Sequence, residues 1–303
     1  MRRVSRTAPR EVKRPVWPAR SGGNGSPVDE VRVESWRDLH EVLAEGSWDE
    51  TLGRRRSRFA FRGGSDARAD LRTSLMRIGG EYVRVERNLL RNFRKYGEPY
   101  AGRRDSPWNW LSLAQHHGLP TRLLDWSYSP LIAAHFATAN TDAYDRDGVV
   151  WCVNFLEAHA HLPDRLRKLI EGEGSEVVTV EMLDDATDGL DGFEDLADEP
   201  FVVFFEPPSF DERILGQWAL FAVMSDPTVS LDRWLEAHPD VTARRVVIPA
   251  ELKWEVRDRL DMDGINERTL FPGLDGLSRW LARYYAARDD DGAPVPRPED
   301  EHR

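Results

Sequence analysis

Cysteine is almost missing from this chain. Cys152 is the only one in 303 residues. That excludes an internal disulfide and any zinc or iron–sulfur site built from several cysteines, and a reducing, cytoplasmic setting is the expectation. No apolar run approaches the roughly 18 residues a membrane helix needs, so no membrane partner is expected. The N-terminus is basic without an apolar stretch behind it, so a secretory signal is not expected either. Positive charge is in deficit: 42 Lys and Arg stand against 53 Asp and Glu, giving a net charge of -11. A chain this acidic is no general binder of phosphate backbones, although a local basic patch stays open.

Several motifs are also missing. There is no GxxxxGK[ST] phosphate loop and no GxGxxG after a strand, which excludes the two commonest nucleotide cradles. There is no GxSxG elbow and no HExxH. His116, His117, His135, Asp125 and Cys152 are metal-competent residue types, but adjacent histidines leave a helix in different directions, so no metal is expected. No pair of carboxylates is set apart by its context as a glycosidase dyad.

What is present is globular. Eleven tryptophans argue for a substantial core. Residues 1–28 carry Arg2, Arg3, Arg6, Arg10, Lys13, Arg14 and Arg20 with an SGGNGSP run, and read as a disordered basic tail, either a nucleic-acid contact or simply solvated. Residues 288–303 read as an acidic, proline-bearing tail. One domain is expected between them, over 29–287.

Within it, Val33–Glu45 has helical spacing at Trp36, Leu39, Val42 and Leu43. SRFAFRGG reads as a short alternating strand stopped by two glycines. EYVRVERNLLRNFRKYG reads as a helix with an apolar stripe of Val85, Leu89, Leu90 and Phe93, ending at Gly97. SPWNWLSLAQHHG is a helix with Pro107 in its first turn. PTRLLDW reads as extended, and SPLIAAHFATAN as a helix opened by Ser129 and Pro130. GVVWCVN, FVVFFEPP, GQWALFAVM and ARRVVIPAEL read as strands, residues 183–200 as an acidic surface loop, and KWEVRDRLDMDG and LSRWLARYYAAR as the last helices. The irregular alternation predicts an α+β fold, a split mixed β-sheet flanked by helices, rather than a doubly wound one.

Three segments set charge in apolar surroundings. In Phe61-Arg62-Gly63-Gly64 an arginine ends a strand beside glycines that let other groups approach closely, a setting suited to a phosphate or to an ordinary strand-end arginine. In Gln115–Ser129, Arg122 and Asp125 must be paired if buried, with each other or with nearby polar groups. His117 and Ser127 are candidates for pocket contact, and Ser129 is either a helix N-cap or part of an anion site. In Arg213–Phe221, Gln217 stands at the mouth of an apolar strand, where its amide suits orienting a hydroxyl or a base.

Together these segments resemble the FRG domain, named for its Phe-Arg-Gly signature, here Phe61-Arg62-Gly63. The family's central block resembles AQHHGLPTRLLDWSYSPLIAAHFA, Ala114–Ala137. Its later Arg…Gln-x-Gly-x-Phe segment resembles RILGQWALF, with Ala219 where glycine is usual, and its terminal block resembles TLFPGLDGL, Thr269–Leu277. The likeness runs from about Val33 to Tyr285. The motif order is similar to that of arginine-type ADP-ribosyltransferases. That resemblance implies an ADP-ribosyltransferase-like fold, NAD as cofactor, Arg62 holding one of its phosphates, and Ser127 and Ser129 lining the nicotinamide-ribose pocket, with Gly63, His117 and Arg122 as further candidate cofactor-binding residues, Arg122 alternatively a staple of the turn with Asp125. Gln217 would take the place of the catalytic glutamate, with Glu206 or Glu212 supplying the carboxylate that glutamine lacks. It further implies transfer to a nucleic-acid base (DNA or RNA) or a protein acceptor, as in a toxin or phage-defence effector with a neutralising partner. A nucleotide-binding sensor and an NAD hydrolase are the alternatives.

Overall fold

The computed structural model describes residues 28–101, 106–209 and 211–287. The two expected tails therefore lie outside the described residues, except Val28, which packs into the core. The strands are β1 (Asp29–Arg32), β2 (Trp48–Asp49), β3 (Arg54–Arg55), β4 (Phe59–Gly64), β5 (Leu123–Ser127), β6 (Gly148–Asn154), β7 (Val178–Thr179), β8 (Val202–Glu206), β9 (Ala219–Met224) and β10 (Ala243–Ile248). The helices run α1 (Trp36–Ala44), α2 (Ser74–Ile78), α3 (Tyr82–Ala101), α4 (Pro107–His116), α5 (Pro130–Thr138), α6 (Phe155–His159), α7 (Asp164–Glu173), α8 (Val180–Ala186) and α9 (Gly189–Glu194). They continue with α10 (Glu212–Gly216), α11 (Leu231–Ala237), α12 (Lys253–Met262), α13 (Glu267–Leu270) and α14 (Leu274–Tyr284).

Eight strands form one mixed sheet in the order β1-β10-β6-β4-β5-β9-β8-β7, while β2 and β3 make a separate ribbon. The outermost pairs, β1 with β10 and β7 with β8, are parallel; the inner ones are antiparallel. This is the expected α+β class with a mixed sheet flanked by helices.

Sheet pairing is uneven at the centre. β4 follows β6 over six residue pairs and β5 follows β9 over five, yet β4 meets β5 only at Phe61 opposite Ser127. The cores mirror this seam. On one face a continuous cluster crosses it, from Trp151 and Val153 through Ala60, Leu124 and Trp126 to Ala222 and Phe204, covered by α6 and α11. The other face has two clusters. Phe59, Phe61, Val150 and Cys152 pack under α1, α5 and α12; Leu123, Phe221, Val203 and Phe205 pack under α4 and α7 to α9.

Gly63 helps explain the seam. α5 leaves the end of β5 and lies back across β4 and β6. A Cβ at Gly63 would sit 1.9 Å from the Ala133 carbonyl oxygen and 2.5 Å from the Ala137 nitrogen. The glycine is there so that a helix, not a ligand, can touch the strand. Gly148 serves the same helix, where a Cβ would meet the Ala137 carbonyl oxygen at 2.7 Å.

Three local expectations are corrected. Residues 183–200 are not a loop: α8 and α9 bury Leu183 and Phe193. Gly97 does not end its helix; α3 runs on to Ala101, and Gly97 lets it lie near the Trp110 ring. Gln217 and Trp218 are not strand residues. Gln217 caps α10, and Trp218 takes a positive φ of 48° before β9 begins at Ala219.

Candidate functional site

The seam concentrates polar groups that the sheet does not use up. Where β4 and β5 diverge, the backbone of β5 loses its ladder partner, and its carbonyls need another donor. Arg62 fills that gap: its Nη1 donates to the Asp125 carbonyl oxygen at 2.6 Å. This is the only hydrogen bond the guanidinium makes among the described residues. Burial pushes its pKa down, Asp125 opposes that, and the charge of Arg77 adds to it. A cation held against desolvation beside a second cation is a good seat for an anion.

Asp125 is the exposed residue of an otherwise buried strand, LLDWS. Gln115, at the end of α4, donates from Nε2 to Asp125 Oδ2 at 2.8 Å and accepts from Thr121 Oγ1. Pleating puts Leu123, Asp125 and Ser127 on the face with two cores, and Arg62, level with Trp126, on the other. Arg62 and the Ser127 side chain therefore enter the seam from opposite faces.

The serines are engaged locally. Ser127 Oγ donates to the Gln217 carbonyl at 2.8 Å and accepts from the Ser129 amide at 3.0 Å. Ser129 Oγ accepts from the Ile132 amide at 3.4 Å, an N-cap for α5. Gln217 Nε2 donates to the Leu270 carbonyl at 2.9 Å, so this amide ties α10 to α13.

Arg122 is 3% exposed and does not pair with Asp125. Its Nε donates to Glu86 Oε1 at 2.8 Å and its Nη2 to Glu86 and to Glu194 Oε1, the latter at 2.7 Å. It clamps α3 and α9 to the start of β5, so the structure assigns it to packing and not to the seam. His117 is exposed at the end of α4, its ring edge-on to His116 at 5.1 Å. His116 Nε2 lies 2.8 Å from Asp211 Oδ2, and burial holds its pKa below the usual histidine value despite that carboxylate.

The two candidate carboxylates part company. Glu206, exposed at the end of β8, accepts from Tyr128 Oη at 3.0 Å. Tyr128 directly follows Ser127, and burial, then the Glu206 charge, raises its pKa. Glu212 lies exposed in the first turn of α10. Tyr128 was missed from sequence, although a tyrosine between two serines at a strand end was the available signal. Arg213 has a clear place too: it donates to the His116 carbonyl at 3.2 Å and lies over the Phe271 ring at 4.9 Å.

A second buried polar group was unforeseen. Arg257 donates to His135 Nδ1 at 2.7 Å and to Glu267 at 2.6 Å, and Arg283 joins Glu267 to Asp261. It locks α5 to α12, α13 and α14. His135 is held neutral, its pKa pushed down to about 3 by burial and then by Arg257.

The fold and seam define an α+β protein whose sheet is interrupted beside a Phe-Arg-Gly strand. The FRG domain family model matches residues 57–146, and this stretch of the chain is an FRG domain. The match takes in β4, Arg122 with its partner Glu86, β5 and α5, and so both strands of the seam. The segments around Gln217 and Phe271 lie outside it. No curated protein and no solved structure matches the chain. Among the described residues, no helix is long and apolar enough to cross a membrane.

Proposed function

We propose that the seam between β4 and β5 receives the phosphates of NAD, and that the chain is an ADP-ribosyltransferase-like enzyme. The observation that carries this reading is Arg62, half-buried at a break in the sheet, making one hydrogen bond and set near Asp125 and Arg77. Displacement at the ribose anomeric carbon develops positive charge as nicotinamide leaves, so a positioned carboxylate is the main demand. Glu206 suits that demand better than Gln217, whose amide already serves α13, or Glu212, for which no geometry argues. Tyr128 fixes the Glu206 carboxylate, and Asp125 and Gln115 stand beside Arg62 at the seam. The acceptor would be a nucleic-acid base or a protein side chain, in keeping with a toxin or defence effector inside the cell.

A second reading, a nucleotide-binding sensor without turnover, is favoured by the local engagement of Ser127, Ser129 and Gln217. Incubation with labelled NAD, alone and with DNA, RNA and lysate, separates the readings. Label on a macromolecule, lost in Glu206→Gln and kept in Glu212→Gln, supports transfer. Free ADP-ribose with nicotinamide supports hydrolysis. Binding without turnover supports the sensor. Full activity of a folded Glu206→Gln protein would remove Glu206 from the mechanism. Growth arrest on expression, relieved by the inactivating substitution, would add the toxin reading.

A further inference from the structure

A basic stripe runs along α3. Arg84, Arg87, Arg91, Arg94 and Lys95 are all exposed, and at helical spacing they fall within one arc of about 100° over about 16 Å of axis. The opposite arc packs inward: Leu90 adjoins the core, Phe93 meets the Trp110 ring at 6.2 Å, and buried Glu86 is matched by Arg122. The helix's own buried carboxylate therefore does nothing to neutralise the outer face. Arg84 pairs with Glu81 and Arg87 with Asp191, both as exposed ion pairs, which are weak in water. Arg91 and Arg94 make no ion pair or hydrogen bond among the described residues. Arg87, Arg91 and Arg94 line a groove of about 290 Å³ together with Leu90, Pro107 and Trp110, and Asp188, Leu190 and Asp191 at the start of α9 line it too, so the cations there outnumber the carboxylates by three to two.

A chain of net charge -11 gains nothing for solubility from a row of like cations, and their mutual repulsion is unfavourable. Successive arginines rise about 5 Å along the axis, which fits a line of regularly spaced anions better than one free phosphate. The site is a recessed groove rather than a flat face, which favours a strand over a lipid surface. We propose that this face of α3 docks the sugar-phosphate backbone of a nucleic acid, with little sequence preference. α4 also lines the groove, through Pro107 and Trp110, and its far end carries Gln115 at the seam, only about 8 Å along the axis from Trp110. A bound strand would thus pass close to the proposed NAD site. As a way of presenting the acceptor, this rests on the transferase reading; as a binding surface it does not.

The test is fluorescence polarisation of labelled 20-nucleotide single-stranded DNA and RNA, and of a duplex, with the full chain, without NAD, between 50 and 200 mM salt. Saturable binding is expected, with a log–log salt slope of about -2 for single strands if three phosphates are contacted. The triple variant Arg87→Gln, Arg91→Gln, Arg94→Gln, with an unchanged Tm, is expected to bind at least about tenfold more weakly and with a flatter slope. An unchanged triple variant, or binding to anionic phosphatidylserine vesicles but not to nucleic acid, overturns the proposal. Nucleic-acid binding without NAD turnover leaves it standing and sinks the transferase reading. NAD turnover without nucleic-acid binding does the reverse.

Discussion

An alanine at position 63 would drive its Cβ into the backbone of α5, 1.9 Å from one atom and 2.5 Å from another. Neither is a side chain that can swing away. Gly63→Ala should therefore cost about 1–3 kcal/mol of stability, seen as a lower denaturation midpoint; an unchanged midpoint would mean that α5 does not lie on β4 as described. Arg122 offers the charge counterpart. Arg122→Met leaves Glu86 buried without its partner, and should cost roughly 3–5 kcal/mol. Adding Glu86→Leu should recover part of that loss, and a double mutant no more stable than the single would contradict the clamp. Both residues stood out in the sequence, but their roles were only half legible. A glycine after an arginine says that something comes close, not whether it is helix or phosphate. A buried arginine says that it is paired, not that its partner lies 36 residues upstream.

At the scale of elements, the polar lock among α5, α12 and α13 makes a prediction about acid. His135 sits near pH 3 and His159 near pH 4, each pushed down mainly by burial, and His159 Nε2 accepts from the Phe204 amide. In the unfolded chain both would titrate near the ordinary value of about 6.5. Between those limits the unfolded state binds protons that the folded state refuses. Stability is thus full above about pH 6.5 and falls as pH drops, by at most roughly 1.4 kcal/mol per pH unit per histidine. Burial raises the Glu267 carboxyl, but Arg283 and Arg257 outweigh it and hold it at about 2, so its contribution is lost below about pH 4.5 in the same direction. Denaturant unfolding at pH 7, 6, 5 and 4 should show this decline, and a flat profile from pH 7 to 4.5 would contradict it. The elements were largely legible because β4, β5, β6, β8 and β10 carry strand patterning and α5 its Ser-Pro start. α12 hid its role. Lys253 and Arg257 are fully buried on the stripe shared with Val256 and Leu260, and charge in a pattern normally reads as the solvent side.

For the whole molecule, the deciding feature is the sheet's interruption. One core crosses the seam on one face, and two others stop at it on the other. A split sheet was expected from the irregular alternation of strands and helices, but not where the break falls. It arises because residues 61 and 127 pair and their neighbours do not, a non-local fact that no spacing reveals. If the seam is where the molecule acts, Arg62 is its centre, with Asp125 and Gln115 beside it and Glu206, two strands further along the sheet at the end of β8, linked to β5 only through Tyr128. The most direct measurement is calorimetric titration of the purified chain with NAD and ADP-ribose, beside an Arg62→Ala variant of matched thermal stability. The expected result is saturable binding by the wild type, weakened at least about tenfold by the substitution. Equal affinity in the folded variant, or no binding of either ligand by the wild type up to millimolar concentration, would contradict the assignment of the seam.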